Sequence, residues 1–371
     1  MPKTKKDLGI NKEELLNQVV NNRYKLIKYL NSGAFAVVFK ALDLDASVLE
    51  KKDVFVAVKI ILKAKNKNIE TIKKRLFLET NTFAKLSFSK NIVKMKDVFS
   101  WQNYYVIVME LIEGADLSKK FNAYNNVLSN KEFIYYFLKI TKGLKEIHDN
   151  NIIHRDVKPA NILITNDSKV RISDFGISKI KSIILDDHHN HISPGTPRYT
   201  APEQFINFES RKDAFYFESD IYSIGVIMYE FLTGSMLYLN YGSNHTSSKE
   251  KERTNFQQHI LKDITRPREI NPNISQALEN IIMKCLAKDY KNRYHTFDQI
   301  IEDLEQAKQQ PDVNIDFPNM WWEDENYLNI KNNNTLKYKY FFKNTNFKYF
   351  LFWISIVISL FIIFLIVLIL K

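Results

Sequence analysis

The sequence predicts an α+β chain of two unequal lobes, a small β-rich one and a larger helical one, followed by a single apolar helix of membrane-spanning length. Three observations carry this expectation. Between Tyr24 and Met109 the apolar residues fall mostly in short β-rich runs; from Asp116 onward they recur at helical spacing; and 21 consecutive residues from Phe350 to Leu370 carry no charge. The 371 residues, 45% hydrophobic and 26% charged, are enough for a sizeable core. The single cysteine, Cys285, rules out an internal disulfide framework and is expected to pack in the interior.

Taken in order, residues 1–23 form a polar lead-in with no apolar stretch of signal-peptide length, only a short amphipathic helix around Glu13 to Val20. The N-terminal lobe, 24–110, contains the runs YKLIKYL, VVFKALDL, VFVAVKIIL, IVKMKDVFS and YYVIVM. One helical segment interrupts them, with Ile72, Leu76, Phe83 and Leu86 at helical spacing and Glu79 on the same face. The C-terminal lobe, 111–308, shows long periodic stretches at 130–149, 218–234, 275–287 and 296–306. Residues 309–349 lack periodicity and read as a linker, whose Trp321, Trp322 and Tyr327 could dock on the folded part.

The terminal run, 350–370, matches the roughly 20 residues an apolar helix needs to cross a hydrocarbon core of about 30 Å. Its only polar residues are Ser355 and Ser359, and a buried core helix seldom runs so far without a polar face. Tyr349 and Trp353 suit the membrane interface. Lys331, Lys337, Lys339, Lys343 and Lys348 precede it in a stretch without Asp or Glu. That excess predicts a cytoplasmic side for the preceding lobes, and a single-pass C-terminal anchor in a membrane. It also localises much of the formal net charge of +11. Lysines between Lys337 and Lys348 suit anionic lipid headgroups, and no nucleic-acid partner is expected.

The chemistry is carried by three clusters. NIIHRDVKPAN stands at 151–161, DFG at 174–176, and VAVK at 56–59 ends a β-rich run. A lysine within a buried strand needs a countercharge, and a carboxylate on an apolar helix face needs one too. Lys59 and Glu79 are therefore expected to pair.

In these motifs the chain resembles the protein kinase family, in its Ser/Thr branch, over about Tyr24 to Lys308. The resemblance implies the bilobal protein-kinase fold and transfer of the γ-phosphate of ATP to Ser or Thr hydroxyls of proteins. It implies that Asp156 accepts the hydroxyl proton, that Lys158 lies along the transferring phosphate, and that Asn161 and Asp174 hold Mg²⁺, with Mn²⁺ as a substitute. Lys59 resembles the phosphate-contacting lysine, paired with Glu79. His154 resembles a packing histidine.

YVIVMELIEGADL resembles the segment joining the lobes, with Met109 at the back of the nucleotide pocket and the backbone of Glu110 to Ile112 facing adenine. Val38 and Ala57 would pack above the base and Leu163 beneath it. The loop expected to cover the phosphates departs from the family pattern of three glycines. It reads Asn31, Ser32, Gly33, Ala34, Phe35, Ala36, so that only the middle glycine remains. Gly33 stands where the backbone comes closest to phosphate, and Asn31 tolerates unusual backbone angles.

After the DFG, the stretch ending GTPRYTAPE resembles the end of an activation segment, with Thr196 near the catalytic Asp and Lys. Glu203 is expected to pair with Arg293, and Asp220 to tie a helix to the catalytic loop. Arg155 suggests control by phosphorylation, with Ser182 and Ser193 as acceptors and Asp186 and Asp187 as standing charge. His188, His189 and His191 read as an exposed polar loop. The degenerate glycine loop motivates an alternative, a membrane-tethered pseudokinase scaffold. A small-molecule or lipid kinase is disfavoured by the GTxxY and APE elements, which build a platform for a peptide.

Overall fold

The computed structural model describes residues 12–32, 36–62, 86, 89–102, 104–121, 127–175, 197–206, 216–238, 259 and 262–311. Gly33, Glu79, Gly176, Ser182, Asp186, Asp187, the three histidines at 188, 189 and 191, Ser193 and Thr196 lie outside them. So do Trp321, Trp322, Tyr327, the lysines from 331 to 348 and the apolar run 350–370. Among the described residues no helix is long and apolar enough to cross a membrane.

The smaller lobe begins earlier than expected. Helix α1 (Lys12–Leu15) and strand β1 (Val19–Val20) precede β2 (Tyr24–Ser32), and β1 pairs with β2. Leu15 and Val20 are buried in the same core as Tyr24 and Leu26. Residues 12–23 are thus part of the fold and not a lead-in, because two apolar side chains in a polar stretch suffice to dock it. Strand β3 (Ala36–Asp43) ends where Asp43 caps helix α2 (Leu44–Glu50), accepting from the amide of Ala46. Asp43 also takes two hydrogen bonds from Arg23, at 2.7 and 2.9 Å. Burial pushes its carboxyl up, but those bonds, the Ala46 amide and the Arg23 charge together hold it below the usual range.

Strands β4 (Phe55–Leu62), β5 (Met95–Trp101) and β6 (Tyr104–Glu110) complete an antiparallel sheet in the order β1-β2-β3-β4-β6-β5. Its register sorts the side chains, since directly opposed residues share a face and neighbours alternate. Phe39 faces Val58 and Val58 faces Val108; these, with Val56, Ile60 and Val106, form the core side. The opposite face carries Val38 against Lys59 and Ala57 against Met109. Four residues singled out from the sequence therefore converge on one surface of the sheet.

The larger lobe starts with β7 (Gly114–Asp116), which joins β8 (Ile162–Thr165) and β9 (Val170–Ile172) in a small sheet. Short helix α3 (Leu117–Lys120) follows β7. Helix α4 (Asn130–Asp149) starts at a reciprocal capping box between Ser129 and Glu132. After α5 (Pro202–Ile206) comes α6 (Phe217–Thr233), nearly all buried and stopped by Gly234 at φ 70°, a left-handed position that favours glycine. Helices α7 (Pro267–Ile270), α8 (Gln276–Cys285) and α9 (Phe297–Gln309) complete the lobe. Cys285 is fully buried, and burial raises its thiol far above the ordinary value, which agrees with a packing role.

The two lobes are stitched together beside the cleft. Ile92 bridges Ile172 of β9, with Val93 N donating to Ile172 O at 2.8 Å and Ile172 N to Asn91 O at 2.7 Å. Asn91 also donates to Glu146 of α4 at 2.8 Å.

Candidate active site

The catalytic loop gets its shape from one buried carboxylate. Asp220, in the first turn of α6, accepts the amides of His154 at 2.7 Å and Arg155 at 2.9 Å, and lies 2.9 Å from His148 Nε2. Burial alone would raise its carboxyl, but the hydrogen bond and charge of His148 and the loop groups outweigh it and hold it below the ordinary value. The expected tie between Asp220 and the catalytic loop is present, and His148 joins it from α4. Arg155 sits at φ 68° without being glycine, a conformation costing about 1–3 kcal/mol that the two Asp220 bonds sustain.

His154 completes the link to the following motif. Its Nδ1 accepts from the Asp156 amide at 3.4 Å, so Nε2 carries the proton and donates to Ser173 O at 3.0 Å. Ser173 N in turn donates to Asn161 O at 2.9 Å. The His154 ring and Ser173 thus tie together the Asp156 amide, the Asn161 carbonyl and the residue preceding Asp174. Asp174 follows at φ 61°, again a non-glycine residue in the left-handed region.

The side chains converge as their spacing suggested. Lys158 Nζ lies 2.7 Å from Asp156 Oδ2. Asn161 Nδ2 donates to Asp156 O at 2.8 Å and to its Oδ2 at 3.3 Å. That commits the amide's NH₂ end to Asp156. Lys59 crosses from β4 to reach Asp174 Oδ1 at 2.7 Å, with its own side chain 7% exposed and that of Asp174 30% exposed. The expected pairing of Lys59 with Glu79 concerns a residue outside those described; the partner seen is Asp174.

The donor chemistry of Asp174 and Asn161, one carboxylate and one amide oxygen, suits a hard divalent cation that would take its remaining ligands from phosphate and water. Among the described residues there is no cluster of three or more His, Cys, Asp or Glu that would hold a metal unaided.

Of the pocket residues, Val38, Met109, Ile112 and Leu163 are half-buried and Ala57 is buried. The Glu110 amide donates to Lys94 O at 2.9 Å and its carboxylate accepts from Lys94 N, also at 2.9 Å. That amide is thus bonded within the smaller lobe, to the residue preceding β5. Asn31 departs from the expected loop: it lies in β2 opposite Val38, is not among the described residues with positive φ, and accepts the Ser32 amide at 2.8 Å.

The expected pair of Glu203 and Arg293 is present as two parallel bonds of 2.9 and 2.7 Å, buried, with Ser219 donating to the same carboxylate at 2.7 Å. Sequence reasoning missed His148, Glu230 and His259. Glu230 carried a readable signal, since it is a lone carboxylate in the run IGVIMYEFL, and an unpartnered charge there would be costly. The structure gives it Arg198, at 2.5 and 2.6 Å, and the Tyr199 hydroxyl at 3.3 Å. Burial raises its carboxyl to about 7 against the pull of Arg198.

A cleft between a β-lobe and a helical lobe, with a lysine reaching a carboxylate on one side and an Asp-Lys-Asn loop on the other, defines a phosphoryl-transfer scaffold. Residues 24–306 match the protein kinase domain family, and the chain belongs to that family. It is 34% identical over 311 residues to a Clostridium perfringens protein named a probable serine/threonine-protein kinase, covering 84% of this chain and 42% of that one. It is 31% identical over 293 residues to the serine/threonine-protein kinase PrkC of Bacillus subtilis, covering 79% of this chain and 42% of PrkC. The chain thus spans about two-fifths of the length of these relatives. The crystal structure of the PknI kinase domain of Mycobacterium tuberculosis shares the fold, with a TM-score of 0.56 at 17% identity over 79% of this chain and 98% of that one.

Proposed function

We propose that this chain is an ATP-dependent protein serine/threonine kinase that the apolar run 350–370 holds in a membrane, with its catalytic lobes on the cytoplasmic side. The observation that carries the catalytic part is the meeting of Lys59 with Asp174 at 2.7 Å beside the linked Asp156, Lys158 and Asn161. Asp156 orients the acceptor hydroxyl and takes its proton. Lys158, drawn against Asp156, is placed to follow charge onto the transferring phosphoryl group. Lys59 steers the phosphates, with Glu79 as a second countercharge. Asn161 and Asp174 hold Mg²⁺ or Mn²⁺, which when bound neutralises phosphate charge.

Val38 and Ala57 from the sheet and Leu163 from β8 sandwich the base, with Met109 behind it. The Glu110 carbonyl and the Ile112 amide are the hinge groups for adenine, and Gly33 belongs to the loop over the phosphates, with Asn31 near the end of β2 leading into it. Anionic headgroups meet Lys337 to Lys348, and a protein bearing Ser or Thr is the acceptor. The membrane part rests on the uncharged run and its one-sided lysines.

The full chain in detergent, incubated with labelled ATP, Mg²⁺ and myelin basic protein, is expected to label Ser and Thr. Asp156→Asn and Lys59→Met should not. Equal label in all three would overturn the enzyme reading, and nucleotide binding without transfer in the wild type would favour a scaffold. Alkaline carbonate should leave the full chain in the membrane fraction and release a chain ending at residue 349. A full chain that washes off would exclude the anchor.

A further inference from the structure

His259 is fully buried, and its ring takes no part in the chemistry described above. Its Nδ1 lies 2.8 Å from the hydroxyl of Tyr222 on α6. It also makes a hydrogen bond with the Arg198 main chain that favours a protonated nitrogen, as a carbonyl acceptor does. One nitrogen therefore donates to Arg198 O, and the other accepts from Tyr222. Around the ring stand the edge of Tyr238 at 4.9 Å and Lys288, whose Nζ reaches His259 O at 2.7 Å and the Tyr238 hydroxyl at 2.5 Å. Burial and the Lys288 charge push the imidazole well below its ordinary pKa. The donor and acceptor roles are then constant through neutral pH.

Arg198 and Tyr199 receive further restraints from the same helix. The Arg198 guanidinium is bound by Glu230, the Tyr199 hydroxyl touches the same carboxylate, and Ser223 Oγ donates to Tyr199 O at 2.7 Å. Four residues later Glu203 is locked to Arg293. Both anchors lie within PRYTAPE, residues 197–203, which the kinase reading makes the surface that a protein acceptor lies against.

We propose that His259 is a positioning residue for the protein acceptor: by bridging Tyr222 to the Arg198 main chain it fixes the upstream end of the acceptor platform, as Arg293 fixes the downstream end. The proposal rests on the kinase reading for its functional consequence, though not for the bridge itself. Nucleotide binding uses the other lobe and the catalytic loop, so the two functions should separate.

The test uses the full chain in detergent. His259→Ala should raise the KM for myelin basic protein on the order of tenfold or more, since small misplacements of a binding surface are costly. Its nucleotide Kd should stay within about twofold of wild type on the same grounds. Amide hydrogen exchange should accelerate at residues 198–201 and stay unchanged in α9. His259→Gln, whose amide also offers one donor and one acceptor, should recover most of the KM and the protection. Leu304→Ala, a buried change in α9, should lower Tm without moving the acceptor KM.

Unchanged exchange at 198–201 in His259→Ala would overturn the proposal. So would nucleotide Kd and acceptor KM rising together, or Leu304→Ala reproducing the acceptor defect. If the wild type transfers no phosphate at all, the kinase reading fails, and the exchange measurement still decides whether the bridge exists.

Discussion

Lys59 reaches Asp174 through an ion pair that crosses the cleft from β4, with the carboxylate partly in solvent. The backbone before Asp156 is instead held by Asp220, a buried carboxylate that accepts two amides and lies against His148. The nucleotide side thus depends on how the two lobes are placed, while the catalytic loop is over-determined within one lobe. A buried charge with several donors is rigid because losing any donor leaves polar groups unsatisfied. A pair across a cleft, with its lysine 7% and its carboxylate 30% exposed, can open at low cost only where another charge replaces the lost partner. Such a division suits an enzyme that must admit a large charged nucleotide without disturbing its base.

The strongest way to break the comparison is to remove the base and keep the scaffold. Asp156→Asn should lower kcat by about 10²–10⁴ while leaving Tm and nucleotide Kd near wild type, because the loop is shaped by Asp220 and not by the Asp156 side chain. Loss of folding in this variant, seen as a Tm drop, would contradict that division. Lys59→Met should cost roughly 10²–10³ in kcat/KM by removing a charge aimed at phosphate. It should also change the exposure of the DFG region, read as faster exchange at Phe175, since the cross-cleft pair is lost.

Much of this was legible in the sequence, and the reasons differ by region. Helices α4, α6, α8 and α9 were visible because each has a long apolar stripe, and α4 and α9 begin at capping boxes. The catalytic residues were visible because their spacing is local. The docking of Leu15 and Val20 was hidden, since two apolar residues make no periodicity. Helix α2 was hidden behind the strand reading of VVFKALDL, although Asp43 is a capping residue. The three-stranded sheet of β7, β8 and β9 consists of strands too short for an alternation to show. His259 has no local signal at all: its partners lie 37 residues away at Tyr222 and 29 away at Lys288.

Asp220→Asn sharpens the other half of the contrast. It should cost about 2–4 kcal/mol of stability, because an amide cannot accept from all three donors that now converge on the carboxylate. Denaturant unfolding would measure it, with a smaller fall in kcat. The pH dependence follows from the direction of the shift. A carboxyl held below its ordinary value of 3.8 contributes stability that is fully present above that pH and is lost as pH falls through the lower folded value. The gap between wild type and Asp220→Asn should be flat above about pH 4 and close below it. A gap that instead widened on acidification would show that Asp220 is not charged in the fold.

The smallest effect is expected where the sequence departs most from its family. Ala36 stands where the third glycine would be, buried at the start of β3 and opposite Ile61 of β4. If the methyl group crowded the phosphates, glycine should improve nucleotide binding; if it only packs, glycine should weaken the strand. The geometry favours packing, since Ala36 is 4% exposed and paired within the sheet. Ala36→Gly should therefore cost about 0.5–1 kcal/mol of stability. It should change the nucleotide Kd by less than about fivefold, the most such a strand perturbation would transmit. A tenfold gain in affinity would mean that the nucleotide side is tuned by this one methyl group, and that its looseness extends from the Lys59 pair into the loop above it.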